Sequence, residues 1–278
     1  MKRIFFLAIT LTLTIILTGC AKKTVSPTVA NSNATQATTD TGGGNRRADA
    51  NTTGSGVTWM QTADGWQTNG TPPACPEPVL HTPTDLSVVT SILYPGQTRG
   101  GDYKPHGGFR FDTATSSNET VTAAMDGQVV EGSRYLVNGE MQYMFDIVAS
   151  CGMMYRVGHL LALAPKFQAI AETFSPAVEG DSRTTNVYPP INVTAGEQIA
   201  TAVGVTKGGL NVFFDFGVYN LQQKNAASQD ATYAATHDVQ LAQRAVCWLD
   251  LLPSGDAAKV KALPAADPTS GKKSDYCK

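Results

Sequence analysis

The stretch Pro105-His106-Gly107-Gly108-Phe109-Arg110-Phe111-Asp112 holds the residues whose types and spacing point most directly to chemistry. A histidine stands beside two glycines and runs into a short alternating strand that ends on an acid. The pattern reads as a metal-site motif in which one ligand has been replaced. A neutral imidazole ligates metals and moves protons near neutral pH, so this segment bears on whether the protein cuts a bond or only binds. His106 is either a ligand or a loop histidine, and Asp112 is either a ligand or a turn acid that closes the strand. His81 and His237 have no partner motif and read as surface residues. Asp146, beside Phe145, reads as an exposed strand position. The serines lack a G-x-S-x-G setting. No glycine-rich phosphate loop precedes a helix, so a nucleotide site is not indicated.

The elements that must position these groups are mostly short strands. Val57 to Gln61 alternates like one. Leu86 to Leu93 is rich in β-branched residues and stops at Tyr94-Pro95-Gly96. Gln97 to Lys104 reads as a polar loop leading to His106. Ser133 to Val137 and Met141 to Val148 flank Asn138-Gly139, a strong signal for a two-residue hairpin turn. Met153 to Val157 pairs back and leads to His159. Pro165 to Phe174 has helical spacing, with Pro165 in the first turn and Phe167, Ile170 and Phe174 on one face. Ser175 to Pro190 reads as a loop. Ile191 to Val193, Gln198 to Val203 and Leu210 to Val218 read as strands, and His237 to Ala245 as a helix. The expected fold class is all-β dominated, an antiparallel sandwich or barrel-like domain with one or two short helices. It would cover residues 57–255, with a helical extension at its C-terminal end. An irregular tail, 256–278, would follow, pinned by Cys277.

Composition narrows the partners and the compartment. A net charge of −2 leaves no basic footprint, so nucleic acid is not an indicated partner. Met1-Lys2-Arg3, the apolar run Ile4 to Leu17, and Leu17-Thr18-Gly19-Cys20 resemble a bacterial lipoprotein signal. Residues 1–20 are then a signal peptide ending in a lipobox, and Cys20 carries the lipid. The mature chain would be extracytoplasmic, anchored to a bacterial membrane by acyl chains. Residues 21–56 hold almost no large apolar side chains and read as a flexible tether. Cys75, Cys151, Cys247 and Cys277 would then meet an oxidising compartment and form two disulfides. Three connectivities exist. Cys151–Cys247 with Cys75–Cys277 is favoured, because the second bridge ties the chain's end to the start of the domain.

Several landmarks follow one another in a telling order. Val121-Thr122-Ala123-Ala124-Met125-Asp126-Gly127-Gln128-Val129 fits the pattern V-x-A-A-x-x-G-x-V. Tyr155-Arg156-Val157-Gly158-His159-Leu160 fits Y-x-x-x-H-L, and Val193 to Ala200 is similar to V-x-x-G-x-x-I-G. Phe213-Phe214-Asp215-Phe216-Gly217-Val218 falls where H-L-H-F-E-V would stand. Together, from about Leu86 to Val218, they resemble the lysostaphin/LytM-type zinc endopeptidases, which cleave peptide cross-links in bacterial peptidoglycan. The resemblance implies a LytM-type (duplicated hybrid motif-like) fold. It also implies a zinc held by the first and last residues of H-x-G-x-D and by the last histidine of H-x-H, with two further histidines handling water and the developing oxyanion.

This chain departs from that pattern. His106 matches the first ligand and His159 one of the two catalytic histidines. Arg110 stands at the aspartate position, Asp215 at the last-histidine position and Phe213 at the other catalytic histidine. A guanidinium stays protonated and cannot ligate. The resemblance therefore implies a degenerate member with no zinc or other cofactor. Its groove, lined by His106, Arg110, Asp215, Phe213 and a vestigial His159, would bind peptidoglycan or position a cell-wall hydrolase without cutting. Arg110 and Asp215 are expected to meet within about 4 Å and replace the metal's charge. An alternative alignment, counted from Asp126-Gly127, makes His106, Asp112 and Asp215 the ligands of an active zinc endopeptidase. The first two are then roughly 20 Å apart along an extended strand unless Gly107-Gly108 bulges. A third reading is a purely structural envelope lipoprotein whose groove is closed by Ser175 to Pro190 and the tail.

Overall fold

The computed structural model describes residues 56–63 and 65–278. The signal segment, Cys20 and all of the tether but Gly56 lie outside the described residues. The fold is dominated by one antiparallel sheet. Its main path runs β11 (Thr185–Val193), β8 (Gly127–Val137), β9 (Glu140–Val148), β10 (Met153–Leu163), β13 (Phe213–Asn220), β6 (Gly107–Arg110) and β3 (Ser91–Leu93), numbered in chain order. β12 (Gln198–Val203) pairs with β10 and carries β7 (Val121–Thr122). The sheet does not close into a barrel. Two separate hairpins complete the strands, β1 (Trp59–Thr62) with β2 (Gly65–Thr68), and β4 (Gln97–Arg99) with β5 (Asp102–Lys104). The helices are short: α1 (Pro165–Ala171), α2 (Ala231–Thr236), α3 (Gln240–Arg244) and α4 (Ser254–Ala262). Among the described residues no helix is long and apolar enough to cross a membrane.

Strand alternation assigns the two faces of the sheet. On β13, Phe214, Phe216 and Val218 enter the main core, where they meet Phe109, Tyr155, Val157 and Trp248. The Phe109 ring lies 5.1 Å from Phe214 and 4.9 Å from Trp248, centroid to centroid. Burying each such ring stabilises the fold by about 2–3 kcal/mol. Phe213, Asp215, Gly217 and Tyr219 take the other face. Part of that face is covered by the β1–β2 hairpin, whose Trp59 and Trp66 pack on Val130, Val148, Met154 and Tyr219. Trp59 also donates from Nε1 to the Ser150 carbonyl at 3.1 Å. The rest of the face is polar, and it holds the site.

Some expectations change. Both disulfides differ from the favoured pairing: Cys75 bonds Cys151, and Cys247 bonds Cys277, with Cα separations of 5.1 and 4.8 Å. Each end of the domain is tied to the segment it packs against, not to the other end. Cys151 lies in the β9–β10 turn beside the N-terminal hairpin. Cys247 follows β13 and meets the returning tail. Gln97 to Lys104 is a hairpin rather than a loop, turned by Gly100 and Gly101, both at positive φ. The segment Ser175 to Pro190 ends inside β11, with Pro189 and Pro190 at a register break on the sheet edge, where a missing N–H costs no ladder bond. The tail begins as helix α4 and is irregular only beyond it. Asp146 is fully buried, because Arg156 on the neighbouring strand grips both its oxygens at 2.6 Å.

Candidate functional site

His106, Asp215 and His159 converge from three strands. His106 immediately precedes β6, and Gly108 lies opposite Asp215 in the β6–β13 register. Alternation therefore turns the His106 side chain to the face that carries Asp215. Gly217 leaves the room it needs, since a Cβ there would come within 2.8 Å of His106 Cβ and would also strike the Tyr219 hydroxyl. His159 arrives from β10 at a break in its register with β9, between Val157 and Leu160. Its φ is 60°, a left-handed conformation uncommon for a residue with a side chain. The bulge re-aims the ring, which is a common use of bulges beside binding sites. The His159 imidazole lies against Phe213, 4.6 Å between centroids, and its backbone N–H donates to the Tyr135 hydroxyl at 3.4 Å.

Asp215 Oδ2 stands 3.1 Å from His106 Nε2 and 3.4 Å from His159 Nε2. A carboxylate only accepts, so a neutral imidazole on either side donates from Nε2. For His159 this leaves Nδ1 as a buried acceptor with no partner. Burial would raise the Asp215 carboxyl, but His106, His159 and Arg99 outweigh it and hold the group well below the usual carboxylate range. Burial pushes the His159 imidazole below its ordinary 6.5. Asp215 works against that shift, while His106 and Lys104 add to it. His159 is therefore neutral at pH 7. One ionised carboxylate thus organises two imidazoles at the floor of a cleft, an arrangement suited to orienting polar ligand groups.

The expected Arg110–Asp215 pair does not form. Register is the reason: Arg110 lies opposite Phe213, not Asp215. Its guanidinium sits 5.7 Å from the Phe213 ring centroid and donates to Asp112 Oδ1 and Asn211 Oδ1, each at 2.9 Å. Asp112 also accepts from Thr90 and Ser91 hydroxyls at 2.8 and 2.6 Å. Burial would raise its carboxyl, but these hydroxyls and Arg110 lower it. Asp112 is thus a strand-closing acid and does not line the cleft. The set His106, Asp112 and Asp215 is not brought together. The residues that do converge are His106, His159 and Asp215, the carboxylate touching both imidazoles. Among the described residues no group of three or more His, Cys, Asp or Glu is arranged to hold a metal ion.

The cleft above this floor has a volume of about 320 Å³. Its walls bring in residues that motif reading missed: Arg99 and Lys104 from the β4–β5 hairpin, Arg156 from β10, and Tyr135 and Ser182 opposite. The available signal was Gly100-Gly101, which marks a turn and puts the charges flanking it on a hairpin. His237 is also not a free surface residue. It stacks on Tyr233 at 4.3 Å and lies tilted against Tyr103 at 3.9 Å, centroid to centroid. Compared with known proteins, the chain matches no family model, no curated protein and no solved structure.

Proposed function

We propose that this protein is a cell-envelope lipoprotein, held through lipid on Cys20, whose domain is a degenerate relative of LytM-type endopeptidases. Its cleft binds the peptide part of peptidoglycan, and through that binding it can position a cell-wall hydrolase, without cleaving the wall itself. The observation that carries this reading is the replacement of ligand chemistry at the floor. Asp215 is engaged by His106 and His159, and Arg110 stands where the relatives place an acid. A water-activating metal would have to displace those contacts. A binding cleft of this size suits a short peptide segment.

Two measurements test it together. Purified sacculi should sediment the protein, and Asp215→Ala should lower the bound fraction by about fivefold, the scale of losing one charge-assisted contact. Dye-labelled walls should release no dye, with or without added zinc. Chelator-sensitive dye release would make the protein an endopeptidase and sink the proposal. Absence of sedimentation would favour a structural envelope role.

A further inference from the structure

The cleft carries a guanidinium that no carboxylate among the described residues hydrogen-bonds. Four fixed charges line it: Arg99, Lys104, Arg156 and Asp215. Arg156 is neutralised from below by the buried Asp146 carboxylate. Among the described residues the Lys104 ammonium bonds the exposed Asp102 carboxylate alone, at 3.2 Å. Asp215 is already shared by two imidazoles. Arg99 is different. Its hydrogen-bond partners are all neutral oxygens: the Tyr94 carbonyl at 2.6 Å, the Gln97 amide oxygen at 3.4 Å and the His106 carbonyl at 2.9 Å. The Asp215 and Asp267 carboxylates act on it through space, without a hydrogen bond among the described residues. Those three bonds occupy both Nη1 hydrogens and one on Nη2. Nε–H and the second Nη2–H have no partner among the described residues. Nε and Nη2 form one edge of the planar fork, the kind of edge that fits a carboxylate with two parallel hydrogen bonds.

The hairpin makes this arrangement rigid. Arg99 lies opposite Asp102, and Gln97 opposite Lys104, so alternation gives these four one face of β4–β5. On the other face Tyr103 is locked into a hydroxyl cluster with Tyr233 and Tyr276, at 3.0 and 3.1 Å. Gln97 donates to the carbonyls of Gly271 and Lys273 in the tail. A partly buried cation held this firmly, with only neutral hydrogen-bond partners, gains from a carboxylate that bonds it directly.

We propose that the cleft recognises the free carboxylate of a peptide terminus, with Arg99 as its bidentate anchor and Lys104 as the cation at its rim. The inference rests on the reading of the cleft as a peptide-binding groove and adds the chemical group that it holds. His106 is coupled to the anchor through its backbone carbonyl, so the floor and the carboxylate subsite form one unit.

The test uses the full-length protein in detergent micelles, with N-acetyl-alanyl-alanine and its C-terminal amide as probes, by calorimetry. The acid should bind at least ~10-fold more tightly than the amide, as expected for a charge-assisted fork. Arg99→Gln should abolish that preference. Lys104→Glu, on the exposed rim, should weaken acid binding by about threefold and reduce its salt dependence. It decides the matter if the Arg99 variant does not fold. Equal affinity for acid and amide overturns the inference, as does an unchanged preference in folded Arg99→Gln or an unaffected Lys104→Glu. If neither probe binds while sacculi still sediment the protein, the carboxylate subsite is wrong and the wall-binding reading stands. If the acid binds as described and sacculi do not sediment the protein, the subsite stands and the wall-binding reading falls.

Discussion

At the scale of single residues, the site depends on two placements that ordinary strand geometry would not supply. One is the space above Gly217. A methyl group there would press on His106 Cβ from 2.8 Å and on Tyr219, so either β13 or His106 must move. Gly217→Ala is expected to destabilise the fold by about 1–3 kcal/mol, the range for overpacking a tight site. Thermal unfolding measures that loss, and loss of sacculus binding in the folded fraction shows whether His106 has moved. The other is the coupling between Asp215 and His159. Burial lowers the imidazole's affinity for protons, and Asp215 partly restores it. Removing the carboxylate charge with Asp215→Asn should therefore lower the His159 pKa further. An NMR titration of the imidazole signals checks this, and an upward move would show that Asp215 does not govern the ring.

At the scale of elements, a polar row crosses the covered face of the sheet. Glu131 on β8 lies opposite Asp146 on β9, which lies opposite Arg156 on β10. Arg156 reaches the cleft at the end of this row. Asp146→Ala would leave a buried guanidinium without its partner and should cost about 3–5 kcal/mol. Denaturant unfolding would test this, and a cost below about 1 kcal/mol, the level of an exposed pair, would show that water reaches Arg156. The row also shows what sequence can and cannot carry. Asn138-Gly139 fixes a hairpin through local backbone preference, with φ of 53° and 69°, and is legible in the chain. The antiparallel, strand-dominated class follows from repeated local signals of that kind. Asp146 beside Phe145 has the alternation of a half-exposed strand. Its burial comes from Arg156 ten residues on and from the β1–β2 hairpin, partners that local pattern does not name. The disulfides fail for the same reason, since pairing depends on which turns meet in space. In the site, His106, His159, Asp215 and Phe213 were legible as residues to watch. The partner of Arg110 was not, because a shift of two positions in register puts Phe213, not Asp215, opposite it.

At the scale of the whole molecule, stability should depend on pH in two opposite senses. Asp215 and Asp112 are held below their ordinary values in the fold. Each therefore contributes stability that is present above its unfolded value of about 3.8 and lost as pH falls through the folded value. Glu131 behaves the other way. Burial, with the Asp146 charge next to it, pushes its carboxyl up from 4.5 to about 7. The fold prefers Glu131 protonated, although the Thr184 hydroxyl, which donates to it at 3.1 Å, and Arg156 pull the other way. Its contribution is fully present below about 4.5, declines as pH rises through 7, and is gone above that. The shift corresponds to roughly 3 kcal/mol. Glu131→Gln keeps the shape and removes the charge, so its melting temperature should match the wild type near pH 5 and exceed it progressively toward pH 8. The gap should narrow but not close in an Asp146→Asn background, where the repelling charge is gone and burial, the larger cause, remains. A Glu131→Gln melting curve that runs parallel to the wild type across this range would mean that Glu131 is ionised and solvated beside Thr184. The row beneath the cleft would then be an open, hydrated one, and Arg156 would no longer be a dry wall for the ligand.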